Sequence, residues 1–556
     1  MSQRVFVIAL DGATFDLIGP WSEAGHLPNL RKLMTEGSYG PLASTYPPLT
    51  GPAWGSFMTG KSPGQHSVFE FFRRKAGSYR QTLNSRLNLD GKSLWHLLSE
   101  GGKQVGVMGI PLSYPPESVN GFLITGLLTP PNARDFTHPA DLLNQIEDHL
   151  GEPYRLRHDE KYRKSDPHPF IQEQRENLEN NACVAEYLMT AEPWDFFMVH
   201  FLGTDRMQHE FWHLLDETHP QHDPQERQRL GNVVLQFFQE VDAKVGRLLQ
   251  HLNEDDTVVV MSDHGFGPIH KFINFNTWLL EQKLIRLKSN PGTWFRYLLF
   301  RLGYNYSTLG HWILKLGFGR KAKQMGRGKR ESLQRLLFLS LDDVDWLRTT
   351  VYSIGNYGQL YVNLKGREPE GIVAPGVEYE AVLNDLTQRL QQLVDPQTGE
   401  LVICDIFRQD DIYEGPHTHQ APDLMFFTKE MVYKPMGLSD FSSPHVFEPV
   451  YGTTGHHRTD GIMIWHGANV VQSGAWQGEA HIQDLTPTIL YLLGQPIPPK
   501  MDGKVLLDLF TPAFRQQHHV TFAAEADSTE DGHDSAYSEK DEAEVKEMLR
   551  ALGYVN

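Results

Sequence analysis

Five short polar clusters interrupt this chain where apolar runs stop, and their side chains are carboxylates, imidazoles and one hydroxyl. Val258-Val259-Val260-Met261 runs straight into Ser262-Asp263-His264-Gly265, and Val5 to Leu10 runs into Asp11-Gly12. After the apolar run ending at Phe201 comes Gly203-Thr204-Asp205-Arg206-Met207-Gln208-His209. Asp205 and His209 are four apart, so on a helical turn they share a face, the spacing a chelating pair needs. Gly455-His456-His457-Arg458 enters another apolar run at Gly461. In Tyr46-Pro47-Pro48-Leu49-Thr50-Gly51-Pro52-Ala53-Trp54 the prolines pin the approach to Thr50. Gly51 permits a tight turn there, exposing a hydroxyl on a rigid loop with the next backbone N–H turned toward the same point. Imidazole nitrogen and carboxylate oxygen together bind borderline divalent cations such as Zn²⁺. The donor set suits two ions rather than one, and a hydroxyl beside them is a nucleophile awaiting activation.

The elements that must position these groups alternate in type. Val5–Leu10, Gln104–Met108, Phe196–Phe201, Thr257–Met261 and Gly461–Trp465 read as buried strands. Between the third and fourth, apolar residues from Val233 to Leu249 fall on one face of a helix expected over Arg229–Leu252. Strands alternating with helices make a mostly parallel sheet, whose functional loops lie at the carboxyl ends of the strands. Residues 1–283 are expected to form the first part of the catalytic α/β core and 346–510 the second. Between them, 284–345 reads as an inserted helical cap, rich in Lys and Arg against the single acid Glu331 up to residue 334. It carries Trp294, Phe295, Tyr297, Phe300, Trp312 and Phe318 at helical spacing, for packing on the core or for peripheral contact with a membrane or polyanion. Residues 511–556 read as an acidic flexible tail with a short terminal helix, opened by Ser538 and Asp541 in a capping-box pattern.

Composition narrows the function. The chain has 556 residues, is 40% hydrophobic and carries a net charge of −18, so it is an ordinary globular protein with no general affinity for nucleic acid. Two cysteines are too few for a disulfide framework. No run of apolar residues is long enough to span a membrane, and Arg4 to Leu10 is too short for a signal peptide, so a cytoplasmic location is expected.

The ordered set of clusters resembles the alkaline phosphatase superfamily, specifically its type I phosphodiesterase/nucleotide pyrophosphatase branch. The resemblance runs from Asp11 through Asp484-Leu485-Thr486-Pro487-Thr488 to Met501-Asp502-Gly503-Lys504. It implies an α/β fold with a mixed, mostly parallel sheet sandwiched by helices. It also implies two divalent metal ions, Zn²⁺ in the first instance and Mn²⁺ as the alternative, acting on a small-molecule phosphate ester. Asp11, Asp263 and His264 resemble the ligands of one ion, completed by the Thr50 hydroxyl. Asp205, His209 and His457 resemble those of the other, His457 being preferred to His456 because the family's late ligand stands two residues after the glycine. Thr50 is then the covalent nucleophile; the Gly51 backbone N–H reads as a donor to a phosphoryl oxygen, and Arg206, or alternatively Lys61, as a replacement anion contact. His200, His270 and His466 read as ordinary core or surface histidines.

Two departures concern the substrate. Gly51-Pro52-Ala53 replaces the aromatic, proline and asparagine that come after the nucleophile in the nucleotide-hydrolysing members. Ungapped counting also places Phe71 where those members have an asparagine on a phosphoryl oxygen. A phosphomutase or phosphomonoesterase is the main alternative. A sulfatase is disfavoured because the C/S-x-P-x-R nucleophile motif is missing, and a non-catalytic binding protein because the ligand set is complete.

Overall fold

The Val- and Phe-rich runs form the middle of a nine-stranded sheet in the computed structural model, which describes residues 3–75, 77–156, 160–304, 336–437, 441–524, 536–552 and 554. Its order is Gly474–Ala475, Ser38–Ala43, Asp460–His466, Thr257–Met261, Val5–Leu10, Phe196–Phe201, Val105–Ile110, Gly121–Thr125 and Thr137–His138. Thr257–Met261 through Gly121–Thr125 are parallel neighbours, and Asp460–His466 joins antiparallel. Every residue of Val5–Leu10, Phe196–Phe201 and Thr257–Met261 is buried, as strands covered on both faces must be. One group of packed helices comprises Pro28–Glu36, His168–Ala191, Gly203–Leu215 and Val233–Leu249; another comprises Thr50–Thr59, Leu94–Glu100 and Leu485–Leu492.

Register carries the site. Leu10 pairs with Phe201 and Ala9 with Met261, so three parallel strands end side by side and release Asp11, the Asp205 helix and Asp263-His264 at one edge. A two-stranded ribbon, Gly265–Pro268 against Gly455–Arg458, pairs Phe266 with His457 and returns the late histidines to that edge.

The helix expected over Arg229–Leu252 is two helices, Pro224–Leu230 and Val233–Leu249. Gly231 has φ 61°, a left-handed backbone that ends the first helix and re-aims the second. The second apolar cluster is larger than the expected insert, spanning Ile273 to Phe441. Its sheet, ordered Val351–Ser353, Leu360–Val362, Leu424–Thr428 and Ile403–Arg408, is antiparallel and backed by the helix Val377–Gln391. Residues 351–428 thus pack into this second core rather than beside the parallel strands. In the basic segment, Phe300 is buried and Tyr297 half-buried, whereas Trp294 is 68% and Phe295 52% exposed on the helix Pro291–Arg301. Trp312 and Phe318 lie outside the described residues. Among the described residues no helix is long and apolar enough to cross a membrane.

The carboxyl-terminal helix does form from Glu539 to Ala551, with Ser538 Oγ accepting from the Asp541 amide and Asp541 reaching back to the Ser538 amide. It is an integral part of the main core: Val545, Leu549 and Leu552 are fully buried there. Most of the acidic connector before it lies outside the described residues. Truncating a buried leucine costs about 2–5 kcal/mol through lost transfer energy and the cavity left behind. Leu549→Ala is therefore expected to lower the thermal unfolding midpoint and open the 539–556 segment to limited proteolysis. A wild-type cleavage pattern in that variant would count against a docked terminus.

Candidate metal centre

Thr50 is the first residue of the helix Thr50–Thr59, after Leu49 in extended conformation. The expected tight turn at Gly51 does not occur; Gly51 lies in the first helical turn. First-turn amides have no acceptor within their own helix, so the Thr50 hydroxyl sits at a helix N-terminus with its positive end of the dipole. Thr50 Oγ1 lies 3.3 Å from His264 Nε2. His264 Nε2 is 3.2 Å from Asp263 Oδ2 and 3.7 Å from Asp11 Oδ1. On the other side, His209 Nε2 and His457 Nε2 are 3.3 and 3.2 Å from Asp205 Oδ1, and 3.1 Å from each other. The His264 and His457 rings stack at 3.5 Å, joining the two groups. All seven of these residues are fully buried.

The hydrogen bonds fix which imidazole nitrogens carry protons. A backbone carbonyl can only accept. His264 Nδ1 therefore donates to Gly265 O, His209 Nδ1 to Gly455 O and His457 Nδ1 to Pro48 O, at 3.1, 2.8 and 3.1 Å. Burial holds His264 well below its ordinary pKa and pulls His457 down to about 4, so these two rings are neutral and their Nε2 atoms present lone pairs. Asp11 Oδ1, Asp205 Oδ1 and Asp263 Oδ2 are buried without a hydrogen-bond donor. Imidazole lone pairs converging on buried carboxylate oxygens that no donor satisfies are what a divalent cation resolves by displacing the carboxyl protons, and these residues fit such an ion. Two of the convergent groups are Asp11-Asp263-His264 and Asp205-His264-His457; a third, His209-His456-His457, keeps His456 beside the centre.

Several contacts hold these side chains. Gly12 donates its amide to Asp263 Oδ1 at 3.3 Å, and Thr204 Oγ1 donates to the Asp11 carbonyl at 2.6 Å. Gly12 has φ 64°, and a Cβ there would meet Phe266 at 2.9 Å, so only glycine serves. Burial, then the neighbouring Asp263 and Asp205 carboxylates, push Asp11 well above the usual carboxylate range.

Three placements differ from the sequence expectation or were invisible to it. His200, taken as an ordinary core histidine, holds Asp11: its Nδ1 donates to Gly109 O at 3.0 Å, and one proton is shared between Nε2 and Asp11 Oδ2 at 2.7 Å. The signal available was its register, opposite Ala9 and two residues from Asp11. Arg206, expected at the substrate, is buried away from solvent; its Nη1 donates to Leu552 O at 2.8 Å and its guanidinium lies 5.1 Å from the Phe170 ring. Its place is to fasten the carboxyl terminus. Tyr554, with no local motif, reaches Asp205. Lys434 is also buried, and burial pulls its ammonium down to about 8 against the opposing attraction of Glu70 and Asp205. A cavity of about 810 Å³ is lined by residues that include Phe69, Glu70, Arg73, Arg74, Tyr537 and Glu542.

The family model described as Type I phosphodiesterase / nucleotide pyrophosphatase matches residues 5–435. Among solved structures, phosphonoacetate hydrolase from Sinorhizobium meliloti 1021 in complex with phosphonoformate aligns with a TM-score of 0.53 at 13% identity, covering 88% of this chain and 95% of that one. Its complex with phosphonoacetate gives 0.53 at 14% identity over the same shares. Human ectonucleotide pyrophosphatase / phosphodiesterase 5 gives 0.47 at 12% identity, covering 92% of this chain and 100% of that chain. The phosphonoacetate hydrolase alignments show a shared fold, the mixed α/β architecture with a large, mostly parallel sheet flanked by helices. A search of curated proteins found no match.

Burial, followed by the Asp205 charge, pushes Asp263 up to about 8. The native state then keeps this proton to about pH 8, while the unfolded chain releases it near 4. Between those values the native protein binds more protons, so this group lowers the stability of the metal-free protein as pH rises. Asp263→Asn removes that penalty. In chelator, its thermal midpoint is expected to match wild type near pH 4 and to exceed it increasingly toward pH 8. A difference that stays constant with pH would reject the charge-crowding account.

Proposed function

This chain belongs to the type I phosphodiesterase / nucleotide pyrophosphatase family, and we propose that it hydrolyses a small phosphate ester at two divalent metal ions, Zn²⁺ or Mn²⁺, through a covalent phospho-threonine on Thr50. The observation that carries this reading is the Thr50 hydroxyl at a helix N-terminus, 3.3 Å from His264 Nε2 and beside buried carboxylate oxygens that lack donors. Asp11, Asp263, His264 and Thr50 would hold one ion, and Asp205, His209 and His457 the other. When bound, the ions neutralise phosphoryl charge and lower the pKa of a ligated hydroxyl.

The chain's own residues then divide the work. Thr50 Oγ1, having released its proton to solvent, attacks phosphorus in line with the ester bond. The Oγ1–P bond forms as the P–O bond to the departing alcohol breaks, and the alcohol oxygen takes a proton from solvent. Water next attacks the same phosphorus; as its O–P bond forms, the Oγ1–P bond breaks, the water gives a proton to solvent, Thr50 Oγ1 takes one up, and the phosphate product leaves. The Gly51 amide, in the first turn of the Thr50 helix, serves as donor to a phosphoryl oxygen, where the dipole favours negative charge. The cavity beside Glu70 and Arg74 offers room for the ester's organic group. Phosphonoacetate and phosphonoformate, the small phosphorus compounds held by the structurally similar phosphonoacetate hydrolase, define the first compounds to screen beside aryl phosphates.

Thr50→Ala is expected to leave metal content, measured by elemental analysis, near the wild-type value while turnover falls at least about a thousandfold. Acid-quenched wild type incubated with a radiolabelled phosphodiester should carry label on Thr50. Appreciable turnover by the alanine variant would sink the covalent mechanism. Paired rates on an aryl diester and an aryl monoester decide between diesterase and the phosphomonoesterase alternative.

A further inference from the structure

The far end of the chain closes on the Asp205 group. Beyond the helix Glu539–Ala551, the Leu552 carbonyl accepts from Arg206 Nη1 at 2.8 Å. The Tyr554 amide donates to Leu549 O at 3.0 Å, and its carbonyl accepts from Asn356 Nδ2 at 2.9 Å. The buried Tyr554 phenol donates to Asp205 Oδ2 at 2.7 Å. Its ring stands edge-on to His209 at 5.7 Å and to His457 at 6.0 Å, and rests against Phe71 at 5.2 Å.

This divides the two oxygens of one carboxylate. Oδ2 is engaged by the phenol, while Oδ1 faces the two imidazole nitrogens and has no donor. Asp11 is arranged in the same way. Its Oδ2 is engaged by His200, and its Oδ1 is left without a donor toward His264. Each half of the centre is thus built on an aspartate whose outer oxygen is tied and whose inner oxygen is free. A free carboxylate rotates about its Cβ–Cγ bond and loses alignment; a partner on the outer oxygen removes that freedom. Outer partners of this kind are worth about 10–100-fold in metal affinity.

We infer that Tyr554, delivered by the carboxyl-terminal helix, is a positioning residue that orients Asp205 for the metal ion held with His209 and His457, an inference that rests on the two-metal reading above. Arg206 and Asn356 serve it indirectly, by fixing the backbone on either side of the tyrosine. The segment from the helix Glu539–Ala551 to Tyr554 is therefore part of the metal centre.

The test uses the full-length, metal-stripped protein and Zn²⁺ alone, titrated calorimetrically at fixed pH. Wild type is expected to take up two equivalents. Tyr554→Phe keeps the ring packing and loses only the hydroxyl; it should bind one equivalent as wild type does and the other about 10–100-fold more weakly. With Co²⁺ in place of Zn²⁺, the visible spectrum should change for the weakened equivalent alone, which a general loss of packing would not produce. Should Tyr554→Phe fail to fold, Asn356→Ala, which frees the tyrosine's backbone carbonyl, carries the same expectation. Two wild-type affinities in Tyr554→Phe overturn the inference and leave the two-metal reading intact. Tighter binding in that variant also overturns it and marks the tyrosine as a competitor for the site. Wild type that binds fewer than two equivalents overturns the reading and the inference together.

Discussion

Three carboxylates and three imidazoles are buried at one sheet edge, with Asp205, His209 and His457 atoms within 3.3 Å of one another, and that crowding sets the terms for everything around it. Two like charges 4 Å apart repel by about 4 kcal/mol even at an effective dielectric constant near 20. Burial adds the cost of removing each carboxylate from water. A cluster of this kind does not assemble because its members attract one another. It is assembled by elements whose own packing is strong enough to hold it. The parallel strands Val5–Leu10, Phe196–Phe201 and Thr257–Met261 supply that strength: each is buried from end to end, and their matched register leaves no slack at the ends that release Asp11, Asp205 and Asp263.

The same constraint explains the polar framework. Each imidazole spends its Nδ1 proton on a backbone carbonyl: His264 on the adjacent Gly265, and His209 and His457 on the distant Gly455 and Pro48. With Nδ1 so occupied, the orientation of the ring and the identity of the inward nitrogen are both settled. The Pro48 contact also ties the ribbon carrying His457 to the segment that leads into Thr50. Thr50 and His457 therefore cannot shift independently, although they lie 407 positions apart. Geometry of this quality, set before any substrate arrives, is what catalysis by positioned charge requires.

Much of this was legible in the sequence, and for one physical reason. A buried strand that runs straight into Asp-His has no packing rationale, so Asp263-His264 stands out alone. Asp11-Gly12 reads alone as an ordinary turn, and Asp205 with His209 as a chance pair at helical spacing; both gain meaning only within the ordered set. The strand bounds Val5–Leu10, Phe196–Phe201 and Thr257–Met261 were readable because continuous burial demands continuous apolar sequence. The Ser538 capping box was readable because a cap is local. The features that escaped were non-local. His200 alternates into a strand like any core residue, and only the partner strand's register makes it Asp11's neighbour. Gly51 was read as a turn residue because glycine permits turns, yet here it lies in a helix whose packing decides the backbone. Arg206 looked like a phosphate contact because it is next to Asp205, but on a helix adjacent residues point to different sides.

Tyr554 is the extreme case, since no pattern links it to Asp205 across 349 positions. The acidic stretch before the last helix reads as a tail because it is polar, and its composition carries no trace of the helix beyond it. The buried face of that helix, Val545, Leu549 and Leu552, was visible, but it reads equally well as a small amphipathic helix with any partner. Its partner is the main core, and once docked there it places Tyr554 where a stray donor would be costly: an unpaired phenol buried away from water loses its hydration with nothing in return. The bond to Asp205 removes that cost and ties the outer oxygen of a ligand in one contact. The terminal helix and the centre are thereby coupled, because the helix cannot undock without releasing the carboxylate.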